Sequence, residues 1–193
     1  MLAPLLVTIA ALIAPAPAPD AGQEIVQKSV TQEETALTAF DHAVRDYMAL
    51  HHRLARRAPR LQVTSDPAEL LDAINQLGEA IRMERYGART GEVFTPVVAP
   101  LFRHRIHRAL RDVDVAELMT EMEEDNDPLA PTLVVNGRFP WGAGNAMWPS
   151  VLAVLPDLPA QLEYRFVGAD LVLIDIRANL VVDILEGALT SGS

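Results

Sequence analysis

Leu155–Leu189, LPDLPAQLEYRFVGADLVLIDIRANLVVDILEGAL, is the stretch that decides the fold, because it is the densest strand-like signal in the chain. Leu162, Tyr164 and Phe166 alternate with Glu163 and Arg165, the period of two that marks a half-buried strand. Gly168 to Asp170 reads as a hairpin turn, and Leu171 to Ile176 then runs almost without polar interruption. Ala178-Asn179 offers a second turn before Leu180 to Leu185, a third apolar run rich in Val and Ile. The pattern predicts a three-stranded antiparallel meander with one face to bury. Such a sheet needs helices to cover it, so the preceding chain is expected to be its lid.

Working towards the N-terminus, the segment 128–159 is rich in Pro and Gly. Leu133 to Val135 suits a short strand, Asn136-Gly137 a turn, and Ser150 to Leu155 a short helix, while RFPWGAGNAMWP, residues 138–149, reads as an ordered aromatic loop. Before it comes an acidic break, EMEEDNDP. Four helices are expected upstream. Thr31 and Glu34 form a capping-box pattern ahead of the stripe Leu37, Phe40, Val44, Tyr47 and Leu54, which ends at Ala58-Pro59. Asp66 and Pro67 open a second helix with Leu70, Ile74, Leu77 and Ile81 on its inner face and Gly87 placed to stop it. The third starts near Thr95-Pro96 and carries Leu101, Phe102, Ile106, Ala109 and Leu110, with Pro100 either in its first turn or marking a later start. The fourth follows Asp114 and buries Val115, Leu118, Met119 and Met122. The fold class is therefore α+β: an N-terminal layer of three to four helices packed on a small C-terminal antiparallel meander.

The domain reading is a signal peptide over 1–22, a linker over 23–30 and one domain over 31–193, its helical part 31–125 and its loop and sheet part 128–189. The leader rests on an apolar run, Leu5 to Ala14, too short to span a bilayer and followed by an Ala/Pro segment. It predicts a periplasmic or secreted protein, touching a membrane only through the leader if that is not cleaved. None of the 193 residues is Cys, which removes disulfides, thiolate metal sites and cysteine nucleophiles together. A formal net charge of −10 disfavours nucleic acid as a partner. That charge is uneven, for Thr31 to Val113 holds twelve Arg against eleven acids, whereas Asp114 to the end holds three Arg against thirteen.

The C-terminal pattern LPxLPxxLEYRFVGxDLVLxDxxANLVVDxL resembles the tail of a group of uncharacterised secreted bacterial proteins. More loosely, its RFVGADLVLI and LVVDIL pieces resemble the closing strands of the periplasmic nickel/cobalt homeostasis family. The resemblance covers framework positions only. It implies an extracytoplasmic sheet domain and brings no metal ligand with it.

Two basic stripes are the sharpest polar feature. Arg53, Arg56, Arg57 and Arg60 follow His51-His52 on the first helix, and His104, His107, Arg108 and Arg111 share a face of the third. The candidate anion-binding set is Arg53, Arg57, His104, His107, Arg108 and Arg111, since guanidinium forks hold carboxylate or phosphate bidentately. The alternative is a solvated face. Read as metal ligands, the same histidines would draw a cation into a field that the arginines already make positive, so no metal and no cofactor is expected. The acidic run from Glu121 to Asp127 lacks the order and central Gly of a calcium loop and reads as a solvated helix end. Phe139, Trp141, Trp148 and Tyr164 are the candidate apolar pocket, with a lid over the sheet as the alternative. No nucleophile elbow, phosphate loop or HExxH run is present. Asp170 reads as a turn residue, and Asp175 and Asp183 as facing solvent or capping turns. The expectation is a non-enzymatic exported binding module of the bacterial cell envelope with an anionic envelope component or a protein as partner. The alternatives are a secreted hydrolase using a carboxylate/His site near the aromatic loop, and a structural envelope protein.

Overall fold

The computed structural model describes residues 21–57, 66–125, 132–140 and 147–190, with backbone alone for 21–26, Pro67, Leu70 and 121–125. Five helices precede three strands: α1 (Ala21–Ala55), α2 (Pro67–Glu84), α3 (Ala99–Ala109), α4 (Val115–Asp125), α5 (Pro149–Leu152), β1 (Leu162–Val167), β2 (Asp170–Asp175) and β3 (Leu180–Leu185). The protein is α+β, with the helical part N-terminal and the meander, in the order β1-β2-β3, C-terminal. No described helix is long and apolar enough to cross a membrane.

Local chemistry explains most boundaries. Asp66 caps α2 through a hydrogen bond from the Ala68 amide at 2.8 Å, and Pro67 fills the first helical position, where its missing N–H costs nothing. Asp114 does the same for α4, its Oδ1 accepting from the Ala116 and Glu117 amides. Pro100 falls in the first turn of α3. One boundary differs from expectation: α1 begins at Ala21 and runs through 23–30, so Thr31 is no cap. Its hydroxyl donates instead to the Gln27 carbonyl one turn back, a bond that any interior threonine can make. At the other end α2 stops at Glu84, three residues before Gly87, whose φ of 89° belongs to the turn that follows.

The sheet is buried on both faces, not one. On the helical side Leu171, Leu173, Leu180, Val182 and Leu185 join Tyr164 and Phe166 against Phe40, Val44, Leu77, Ile81, Phe102 and Ile106. On the other side Val172, Ile174, Val181 and Ile184 lie under Phe139, Leu133 and Val135. The run 136–139 extends the sheet beyond β3, with the Asn136 amide on the Val181 carbonyl, the Val181 amide on the Gly137 carbonyl, and Arg138 bridged to Leu180. Nearly continuous apolar strands suit a sheet covered twice, which is why β2 and β3 lack clean alternation.

A register slip between Leu173 and Ile174 leaves Val182 as an extra residue in β3. This bulge turns Asp183 to the same side as Leu180 and Val182. Strict alternation would have put it on the opposite face.

Candidate functional site

Two carboxylates expected to face solvent or cap turns are fully buried, Asp175 and Asp183 both showing 0% exposure, and Asp175 also caps a turn. Asp175 ends β2 on the face of Leu171 and Leu173, aimed at α1. Its Oδ1 accepts the Arg177 and Ala178 amides, closing the turn to β3. Its Oδ2 accepts the Tyr47 hydroxyl at 2.8 Å and meets His51 Nδ1 at 2.5 Å. Tyr47 and His51 are one helical turn apart on α1, so the pair clasps that helix to the end of the sheet. Burial, followed by the charge of Asp175, pushes the Tyr47 hydroxyl well above its ordinary pKa. Asp183 makes the equivalent peg on β3. Its two oxygens take the amides of Gly91, Val93, Phe94 and Ile184, all within 2.9 Å, and so hold the loop between α2 and α3 against the sheet. Asp170 accepts the Gly187 amide. With these bonds made, the meander carboxylates are occupied in holding the fold, and the Asp175–His51 pair has no nucleophile hydrogen-bonded to its outer nitrogen among the described residues.

Pinning that loop creates a groove. One face of α1 supplies Ala39, His42, Ala43, Asp46, Tyr47 and Leu50, and across from it stand Arg85, Glu92, Val93 and Thr95, enclosing about 490 Å³. That volume lies within the range of small-molecule sites. Arg85 follows the last residue of α2, and its side chain is only 9% exposed. The guanidinium carbon sits 5.3 Å from the centre of the Tyr47 ring, a cation–π placement. Nη2 donates to Glu92 Oε2 at 2.8 Å and to the Val182 carbonyl, freed by the bulge, at 3.0 Å. Nη1 is buried and has no acceptor among the described residues. A buried donor left unmatched is costly, so the guanidinium gains from an acceptor brought to it. On the rim His42 and Asp46 pair at 3.0 Å, both mostly exposed.

The sequence-derived anion set is spread out. Arg53 sits near the C-terminal end of α1 and pairs at 3.4 Å with Glu84, while Arg57 is exposed in the turn beyond. His104, His107, Arg108 and Arg111 lie on and just after α3, which meets α1 much nearer its start, through Arg105 and Glu33. Twenty residues of helix separate Glu33 from Arg53, about 30 Å. The two stripes therefore do not form one face. The hydrogen bond from Arg105, aided by the charges of Arg108 and His104, draws the Glu33 carboxyl below its ordinary pKa, so this carboxylate already answers the α3 stripe. His107 is half-buried, its Nε2 without a partner among the described residues. Of the two α1 histidines considered as metal ligands, His51 is bound to Asp175 and His52 is exposed, and no group of three His, Asp or Glu suited to a metal occurs among the described residues.

Nor do the aromatic residues converge. Tyr164 packs beside Phe40 and Phe102 on the helical face, its hydroxyl on the Pro156 carbonyl, and Trp148 rests on Phe166 with ring centres 4.9 Å apart. Phe139 lies on the opposite face of the sheet. A covered sheet, not a pocket, is what these three build. Trp141 and the acidic side chains of 121–127 fall outside the described ones.

Sequence reading missed the groove because its walls come from three segments with no common motif. Tyr47 was legible only as part of an apolar stripe, and Arg85 as one arginine among fifteen.

Fold and site together define a small α+β protein whose buried carboxylates lock a sheet to its helices and whose nearly buried guanidinium lines an open groove. No protein-family model matches the chain, and no match was found among curated proteins or among solved structures.

Proposed function

We propose that the protein is an exported, non-enzymatic binding module of the bacterial cell envelope that takes a small carboxylate-bearing ligand in the groove at Arg85. One observation carries the reading: Arg85 is nine-tenths buried, lines the groove, and keeps Nη1 without an acceptor. An anion site on exposed arginines such as Arg57 or Arg111 would be screened by water and salt, whereas a guanidinium shielded by Tyr47 meets a carboxylate in a lower dielectric. The buried Asp175, Asp183 and His51 are spent on structure, which favours binding over catalysis. Export is supported by the apolar run from Leu5 to Ala14 and the Ala/Pro segment after it.

The test is chemical-shift mapping of the full chain with sodium 4-methylpentanoate at millimolar concentration, against sodium chloride at equal ionic strength. Shifts concentrated at Ala39, Tyr47, Arg85 and Glu92 that disappear in Arg85→Gln are the expected result. Unperturbed groove residues would overturn the reading.

A further inference from the structure

The lining of the groove narrows the ligand further. Counting histidine as neutral, the groove sets one guanidinium, Arg85, against two carboxylates, Glu92 and Asp46, a formal charge of −1. A simple anion at Arg85 meets both carboxylates in the same lining, and Glu92 stands in contact with the guanidinium it would seek. A ligand that carries an ammonium beside its carboxylate reverses that repulsion. We propose that the groove binds a free α-amino acid with an aliphatic side chain; this rests on the reading of Arg85 as a carboxylate anchor.

The geometry suits the class in three ways. Arg85 and Glu92 are paired at 2.8 Å, so a carboxylate supplying the acceptor that Nη1 lacks brings an adjacent ammonium close to Glu92. Glu92 is held for the purpose, since its Oε1 accepts the Arg89 amide at 3.1 Å, and its side chain is still 46% exposed. Ala39, Ala43, Leu50 and Val93 give the apolar wall that an aliphatic side chain needs, and Thr95 adds a hydroxyl. The pairing of opposite charges in both partners gives selectivity as well as attraction, because a ligand with only one of the two charges leaves a protein charge unanswered.

Calorimetric titration of the full chain with leucine, 4-methylpentanoate and 3-methylbutylamine separates the possibilities, for the last two are leucine without its amine and without its carboxylate. Leucine is expected to bind at least tenfold more tightly than either. Glu92→Gln, at a half-exposed position where water can replace a lost partner, is expected to erase the preference for leucine over 4-methylpentanoate while leaving the thermal midpoint close to that of the unmodified chain. Equal affinity for leucine and 4-methylpentanoate would overturn the amino-acid assignment and leave the carboxylate site standing. A preference for leucine that persists in Glu92→Gln would overturn the role given to Glu92 and with it the assignment. Failure of all three compounds to bind would overturn the assignment and the carboxylate site together.

Discussion

Single carboxylates do a large share of the work in this protein. Asp183 answers four backbone amides with two oxygens, a complete match for an ionised carboxyl and a poor one for an amide. Replacing it by Asn turns one acceptor into a donor that faces other donors, so Asp183→Asn is expected to cost about 3 kcal/mol in urea unfolding. Asp170→Asn, which loses at most the bond from Gly187, should cost no more than about 1 kcal/mol. Tyr47 supplies a pH signature. Burial, then the charge of Asp175, raises its pKa, so the folded protein keeps the phenolic proton to higher pH than the unfolded chain does. Stability from this source is intact below the unfolded tyrosine value of about 10 and falls as pH rises beyond it. Tyr164, also raised by burial, adds a fall of the same sign. Tyr47→Phe should therefore lose about 1 kcal/mol at neutral pH, for the missing hydrogen bond, yet show a shallower decline in melting temperature above pH of about 10.

At the scale of elements, α2 crosses close over the turn between β2 and β3 at Gly78. A methyl group at Gly78 would lie 2.4 Å from the Ala178 carbonyl oxygen, closer than carbon and oxygen can approach. On an exposed helix face Gly→Ala stabilises by about 1 kcal/mol. Here the clash outweighs propensity, and Gly78→Ala should destabilise by roughly 1–3 kcal/mol in the same assay. The C-terminal end of α2, just beyond Gly78, is fixed by Asn136, whose side-chain amide donates to the Arg82 and Arg85 carbonyls and so satisfies groups the helix end leaves open. Asn136 reaches them with a φ of 65°, a left-handed conformation that asparagine tolerates better than most residues. Asn136-Gly137 was legible as a turn from its composition, but its service to α2 and Arg85 was not. That depends on which helix end the turn happens to meet.

For the whole molecule, the exported reading has a direct check: intact mass of the protein recovered from the extracytoplasmic fraction of its host, expected to begin near residue 22. A full-length mass in the cytoplasm would overturn it. Ligand binding in the groove should also raise the melting temperature, because a site assembled from α1, Arg85 and the 92–95 loop exists only in the folded chain. By itself the sequence determined the meander, the helix starts at Asp66 and Asp114, and the α+β class, since each follows from spacing and capping within a dozen residues. Asp175 was legible as a turn cap, which it is through the Arg177 and Ala178 amides, whereas its burial against α1 was not. Only the tertiary structure decided that Asp183 is buried, because the bulge at Val182 sets its side, and that the two basic stripes stand apart, because helix length sets their separation. It alone made the groove: Tyr47, Arg85 and Glu92 are distant in the chain, and what brings them together is the fixing of α1 and the 91–94 loop to the sheet by two buried carboxylates.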